Sequence, residues 1–209
     1  MLKTDQLLFY YKKSEQSFSF PNIDLKAGKN LLVLGKSGIG KTTLLHLLAG
    51  LLKPVGGKVV IEGVDIHTLS HSKLDQFRGQ HVGLVFQKKH AIPSLNVVEN
   101  LEARLFFSKK HVNSAAIDYL LEQLEISDCK TNRLNTLSEG QLQRLGIAMA
   151  VVHNPKIILA DEPTASLDDE NCKKVIELLI TQAKHTNANL IVITHDHRIK
   201  SLFSNSISL

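Results

Sequence analysis

The sequence predicts an α/β protein: a mainly parallel sheet, an antiparallel β portion at its N-terminal end and an inserted helical segment. Three observations carry that reading. Leu31-Leu32-Val33-Leu34, Ile157-Ile158-Leu159-Ala160 and Leu190-Ile191-Val192-Ile193 are short, uninterrupted apolar runs, the texture of strands buried on both faces. Helical patterns separate such runs, and an alternation of strand and helix builds a parallel sheet covered by helices. Between Val97 and Val151, by contrast, the periodicity is almost purely helical.

Taken in order, Leu7, Phe9 and Tyr11 alternate with Leu8 and Tyr10 as a strand requires, and Phe18 and Phe20 continue the pattern until Pro21 breaks it. The run from Leu31 ends at Gly35 in a glycine-rich loop. The helix expected over Lys41 to Leu52 is apolar around most of its circumference, so it must be deeply buried, and Pro54 with Gly56-Gly57 should end it. Val59 to Ile61 and Val82 to Phe86 are further strand candidates, with a short helix across Ser72 to Arg78 between them. In the helical insertion Ile117, Leu120, Leu121 and Leu124 share one face, and a second amphipathic stretch covers Glu139 to Val152. After the Ile157 strand a helix opens at Asp168 or Asp169 and places Val175, Ile176, Leu179 and Ile180 on one face. One domain is expected, with residues 1–87 and 152–209 forming the β portion and core, and residues 88–151 a helical subdomain.

Composition narrows the class. A chain of 209 residues, 43% hydrophobic and 22% charged, suits one globular unit with a sizeable core. No apolar run approaches the roughly 18 residues that begin to suggest a membrane span. Met1 to Gln6 lacks the apolar stretch of a secretory signal, so a cytosolic location is expected. Cys129 and Cys172 stand far apart with no CxxC spacing, so the sequence suggests neither a disulfide framework nor a cysteine-rich zinc site. The net charge of +5 is spread over scattered lysine pairs that read as solvated surface.

Gly35-Lys36-Ser37-Gly38-Ile39-Gly40-Lys41-Thr42 fits GxxxxGK[ST] in full between a predicted strand and a predicted helix, the context of a phosphate loop and a P-loop NTPase core. Its glycines let backbone N–H groups curl around phosphate oxygens at a helix N-terminus. Lys41 can reach the β- and γ-phosphates, the Thr42 hydroxyl can ligate Mg²⁺, and Thr43 adds a donor. Asp161 and Glu162 follow an apolar strand at its C-terminal edge, where open α/β sheets bind ligands. Asp161 is placed to hold Mg²⁺, and Glu162 to orient and deprotonate a water attacking the γ-phosphate. Ser138, followed three residues on by Gln141, makes a capping box, so the helix from Glu139 presents its positive end to an anion. His195-Asp196-His197 offers two imidazoles but no further ligands for a metal.

Read together, these motifs resemble those of the ATP-binding cassette (ABC) ATPases. Leu137-Ser138-Glu139-Gly140-Gln141 is similar to the LSGGQ signature, Gln87 after Val82 to Phe86 to the Q-loop, Ser166-Leu167-Asp168 to the D-loop, and His195 to the switch histidine. The resemblance implies a homodimer in which each Mg-ATP is held between the P-loop of one copy and the signature helix of the other. Ser138, Gly140, Gln141 and Asp168 are then implied nucleotide contacts alongside Gly35 to Thr43. Gln87 and Asp161 join Thr42 as implied metal contacts, and Glu162, His195, Gln87 and Lys41 form the implied catalytic set. Tyr11 would stack on adenine, with Tyr10 the competing aromatic. Glu139 departs from the family, which usually has glycine there; its carboxylate would oppose a nearby γ-phosphate and slow hydrolysis. Ile61 to Ile66, the segment up to Gln87, and Asn96 to Leu101 resemble the lipoprotein-releasing, macrolide-exporting and cell-division branch. That implies a peripheral protein on the cytoplasmic face of the membrane, partnered by an integral membrane transporter subunit, with no nucleic acid expected. A non-transporting, ATP-driven regulator acting through a membrane partner is the alternative, and a soluble nucleic-acid-associated cassette a more distant one.

Overall fold

The computed structural model describes residues 1–11, 17–86, 90–165 and 167–209. Its strands are β1 (Leu2–Tyr10), β2 (Ser17–Ser19), β3 (Asp24–Leu25), β4 (Asn30–Leu34), β5 (Gly56–Ile61), β6 (Val64–Asp65), β7 (Val82–Val85), β8 (Ile157–Asp161), β9 (Asn189–Thr194) and β10 (Ser206–Ser208). The helices are α1 (Lys41–Leu48), α2 (His71–His81), α3 (Val97–Phe107), α4 (Ser114–Gln123), α5 (Glu139–Val151) and α6 (Asp169–His185). One sheet is wholly parallel, in the order β10-β4-β9-β8-β7; the other is antiparallel, β2-β1-β5-β6, with β3 also paired to β1.

The apolar runs become the parallel sheet because every second residue can serve a different core. Leu32, Leu34, Ile158, Ala160, Leu190 and Val192 point into a cluster shared with α3 to α6. Their neighbours Leu31, Val33, Ile157, Leu159, Ile191 and Ile193 point into a second cluster with α1 and the antiparallel sheet. A sheet covered on both faces has no polar side to show, which is why its strands lack alternation in sequence. Its C-terminal edge gathers the ends of β4, β8 and β9, and with them Gly35, Glu162 and His195.

Several expectations need correcting. α1 stops at Leu48 with Ala49 as its C-cap, so Leu51 lies beyond the helix and is exposed. Gly56 and Gly57 do not end that helix but open β5, where the β1–β5 register shifts between Asp5 and Leu8. The Asp5 carbonyl would stand 2.3 Å from a side-chain carbon on Gly57, so this irregularity admits only glycine. α2 is longer than the expected Ser72 to Arg78 helix and runs straight into β7. The helical insertion contains α3, α4 and α5, and Leu101, Leu121 and Leu145 pack in the same core as the parallel sheet. α5 lies so close over β7 that a side-chain carbon on Gly83 would sit 2.1 Å from the Ala150 carbonyl.

Candidate active site

β4 ends at Leu34 and the chain turns through Gly35 to Gly40 into α1. Gly40 is the N-cap, at φ +104, and a side-chain carbon there would lie 2.5 Å from the Phe18 ring. Backbone conformation and packing both demand glycine. Lys36 to Ile39 are exposed, while Lys41 is almost wholly buried. Its Nζ donates to the Gly35 carbonyl at 2.8 Å and the Lys36 carbonyl at 3.0 Å, and stands 3.5 Å from Glu162 Oε1. The α1 N-terminus and a buried ammonium thus face the same loop, an arrangement that favours an anion.

Thr42 Oγ1 donates to Asp161 Oδ2 at 3.1 Å, while Asp161 Oδ1 is buried with no hydrogen-bond partner among the described residues. Burial raises the Asp161 carboxyl above its ordinary value; the Thr42 bond opposes this and the neighbouring Glu162 charge adds to it. A half-buried carboxylate with one unpartnered oxygen beside a hydroxyl fits a hard divalent cation. One carboxylate and one hydroxyl cannot complete an octahedral shell, and no group of three or more acidic, His or Cys side chains suits a resident metal among the described residues. The pair therefore suits an ion that brings phosphate and water ligands with it.

Glu162 leaves the strand at φ +47, a left-handed backbone uncommon for a side-chain-bearing residue, with its N–H donating to the Ile193 carbonyl at 2.8 Å. That turn swings the carboxylate across to β9. Oε2 accepts from Thr194 Oγ1 at 2.6 Å and from the His195 N–H at 3.4 Å, and Oε1 lies 2.9 Å from His195 Nδ1. Burial pushes the Glu162 carboxyl up, but the hydrogen bonds from Thr194 and His195 and the nearby Lys41 ammonium outweigh it, so the net shift is downward. Glu162 is accordingly an ionised acceptor at neutral pH, aligned on both oxygens.

Tyr11 and Tyr10 separate cleanly. The Tyr11 hydroxyl shares a 3.0 Å hydrogen bond with Thr43 Oγ1, and its ring meets Phe9 edge-on at 4.9 Å. Tyr11 thus belongs to the phosphate-loop side, whereas Tyr10 sits in β1 on the exposed side opposite Phe9. On α5, the Ser138 hydroxyl accepts from the Gln141 N–H at 3.2 Å and the Gln141 side chain accepts from the Ser138 N–H at 2.8 Å, the expected capping box. Ser138 and Gly140 are exposed at that helix start. Asp168 is the N-cap of α6, its two oxygens accepting from the Asn171 N–H and side-chain amide at 2.9 and 2.7 Å. Gln87 and Ser166 lie outside the described residues.

Other residues join the site without having been singled out. Thr194, fully buried, links Glu162 to the Asp196 N–H, which donates to its hydroxyl at 3.0 Å. Thr164 Oγ1 donates to Asp196 Oδ2 at 3.0 Å, and Gln143 on α5 donates to the Pro163 carbonyl. The available signal was a hydroxyl ending an otherwise apolar strand just before His195.

Residues 19–165 match the family model described as ABC transporter. The chain belongs to the ABC transporter family. It is 35% identical over 193 residues to the lipoprotein-releasing system ATP-binding protein LolD of Buchnera aphidicola subsp. Schizaphis graminum (strain Sg), across 90% of this chain and 84% of that one. It is 36% identical over 183 residues to the ABC transporter ATP-binding protein YtrE of Bacillus subtilis (strain 168), across 87% and 79%. The ATP-binding cassette MJ0796, solved as a dimer in a post-hydrolysis state with ADP and Pi, superposes with a TM-score of 0.87 at 32% identity, over 100% of this chain and 94% of that one. As an ABC transporter ATP-binding subunit, the chain binds and hydrolyses ATP, and its P-loop NTPase core is the fold of these cassettes.

Proposed function

We propose that this cassette works as a homodimer around two Mg-ATP at the cytoplasmic face of the membrane, driving an integral membrane subunit of the lipoprotein-release or export type. The observation that carries the reading is the convergence on one carboxylate, Glu162, of Thr194, His195 and Lys41, at the sheet edge where the phosphate loop opens. In this reading Glu162 takes the proton of the attacking water, and His195, bonded to it, helps orient that water. Lys41 moves from the loop carbonyls to the phosphates, and the Gly35 to Thr43 backbone cradles them. Asp161 and Thr42 would hold Mg²⁺, which would supply charge neutralisation to the bound phosphates. Ser138, Gly140, Gln141 and Asp168 face the nucleotide of the other copy, and Tyr11 supports the adenine. Gln87 is assigned to the metal and the water by family resemblance alone.

The membrane subunit is expected in a groove of about 840 Å³ lined by Phe86, Arg104, Phe107, Gln143 and Met149 as well as Glu162. A partner there would touch both the helical subdomain, residues 88–151, and the core formed by residues 1–87 and 152–209. The names of LolD and YtrE support a transport role.

Two variants test this. Lys41→Ala should abolish measurable turnover. Glu162→Gln should bind nucleotide yet lose turnover, so that size exclusion with Mg-ATP reveals a species of twice the monomer mass. A Glu162→Gln protein that stays monomeric and active would refute the assignment.

A further inference from the structure

We propose that Arg198 is a positioning residue that ties the segment containing Asp168 to the end of β9, so that the water-attack side and the dimer-facing side of the site move as one. This rests on the reading of Glu162 and His195 as hydrolytic residues. Arg198 stands in the 3₁₀ turn His197–Leu202, immediately after that strand end. Its Nε and Nη2 donate to the two oxygens of Asp196 at 2.9 and 2.8 Å, a two-pronged pairing that fixes the guanidinium plane. The remaining donors reach the other way. Nη1 donates to Asp169 Oδ1 at 2.5 Å, and both Nη1 and Nη2 lie 3.3 Å from the Leu167 carbonyl.

Leu167 and Asp169 bracket Asp168, so the guanidinium holds the N-cap of α6 from both sides. Behind Asp196 the connection continues inward. Its backbone N–H donates to Thr194 Oγ1, which donates to Glu162 Oε2. Its Oδ2 also accepts from Thr164 Oγ1, two residues beyond Glu162, and from Cys172 Sγ at 3.4 Å on α6. A displacement of Glu162 or His195 on nucleotide hydrolysis is therefore transmitted through Thr194 and Asp196 to a rigid fork, and from the fork to Asp168. Lysine at this position has one compact ammonium and cannot span Asp196, Asp169 and the Leu167 carbonyl in one plane. Arg198 itself is about two-fifths exposed on the outer side of the turn, so it acts through Asp196 and the Leu167–Asp169 segment.

The test uses the full chain and compares Arg198→Ala, Arg198→Lys and Asp169→Asn. Nucleotide affinity, read with a fluorescent ATP analogue, should stay within about twofold, whereas kcat should fall about tenfold in Arg198→Ala, the effect of misplacing groups that do not touch the reacting atoms. Asp169→Asn should lower kcat in the parent chain but have no further effect in the Arg198→Ala background. Arg198→Lys should stay closer to alanine than to the parent. Unchanged kcat in Arg198→Ala, full turnover in Arg198→Lys, or additive effects of the two sites would overturn the proposal. Should Arg198→Ala fail to fold, Asp169→Asn alone carries the same kcat-against-affinity comparison. Glu162→Gln separates the two levels: if it retains turnover, the hydrolytic reading fails, and if it is inactive while Arg198→Ala is fully active, only the positioning role fails.

Discussion

Asp161 and Glu162 are chain neighbours whose carboxyl groups are pushed in opposite directions, in keeping with the proposed division between metal binding and proton transfer. Asp161 is raised mainly by burial, so its ionisation opposes folding. Below its ordinary value it is protonated in both folded and unfolded chains and costs nothing. The cost appears as pH rises through the ordinary value toward the raised one and persists above it. Asp161→Asn should therefore raise the thermal midpoint at pH 7, with the gain vanishing below about pH 4, while Mg²⁺-dependent turnover is lost. Glu162, net lowered, behaves conversely: its contribution is present above the ordinary glutamate value and disappears as pH falls through the folded one. Thr194 donates one of the bonds responsible. Thr194→Val keeps the shape but removes a hydroxyl that donates to Glu162 and accepts from Asp196. A loss of about 1–3 kcal/mol is expected in denaturant unfolding, together with an upward shift of the acidic limb of the kcat–pH profile. An unchanged acidic limb would mean that Thr194 does not tune Glu162.

Among the elements, the close approach of α5 to β7 sets the position of the signature helix. Gly83→Ala would drive a methyl against the Ala150 carbonyl and push the helix off the sheet, at a cost of about 1–3 kcal/mol. Turnover should fall with it, since Ser138 and Gln143 ride on the same helix. An alanine variant as stable and active as the parent would show that helix and strand can separate freely. The doubly buried strands and the long helices were legible in sequence because each has a strong period and clear end signals, as at Leu31 to Gly35 or Asp168 to Ile180. β3, β6 and β10 left no such signal, being two or three residues long and formed through pairing with a strand already in place. The site was legible where chemistry imposes residue types at fixed spacing, in the phosphate loop and at Asp161-Glu162. The Thr194–Asp196–Arg198 connection was not, because its members gain meaning only when the end of β9 meets the turn after β8. Gly57 misled for a related reason: a glycine pair reads locally as a helix stop, but tertiary pairing with β1 needs it inside a strand.

For the whole molecule, Glu139 is the residue at which local and intermolecular demands conflict. Its charge suits the first turn of α5, yet the proposed closed dimer would bring it toward the partner's phosphates. Glu139→Gly should give faster turnover or tighter ATP-dependent dimerisation, at a helix-propensity cost of at most about 1 kcal/mol. A decrease in both at unchanged stability would mean that the glutamate makes a productive contact instead. The strand order also has a consequence for how the protein comes into being. β4, which launches the phosphate loop, is flanked only by β9 and β10, and Asn205 reaches back to the Asn30 carbonyl across 175 residues of sequence. In synthesis from the N-terminus, the loop, Asp161 and Glu162 are all made while β4 still lacks a neighbour on either side. Such distant pairings close late, since each must overcome the entropy of a long intervening chain. A growing chain should consequently acquire affinity for ATP in a single late step, as residues 189–208 emerge, rather than when its phosphate loop is complete.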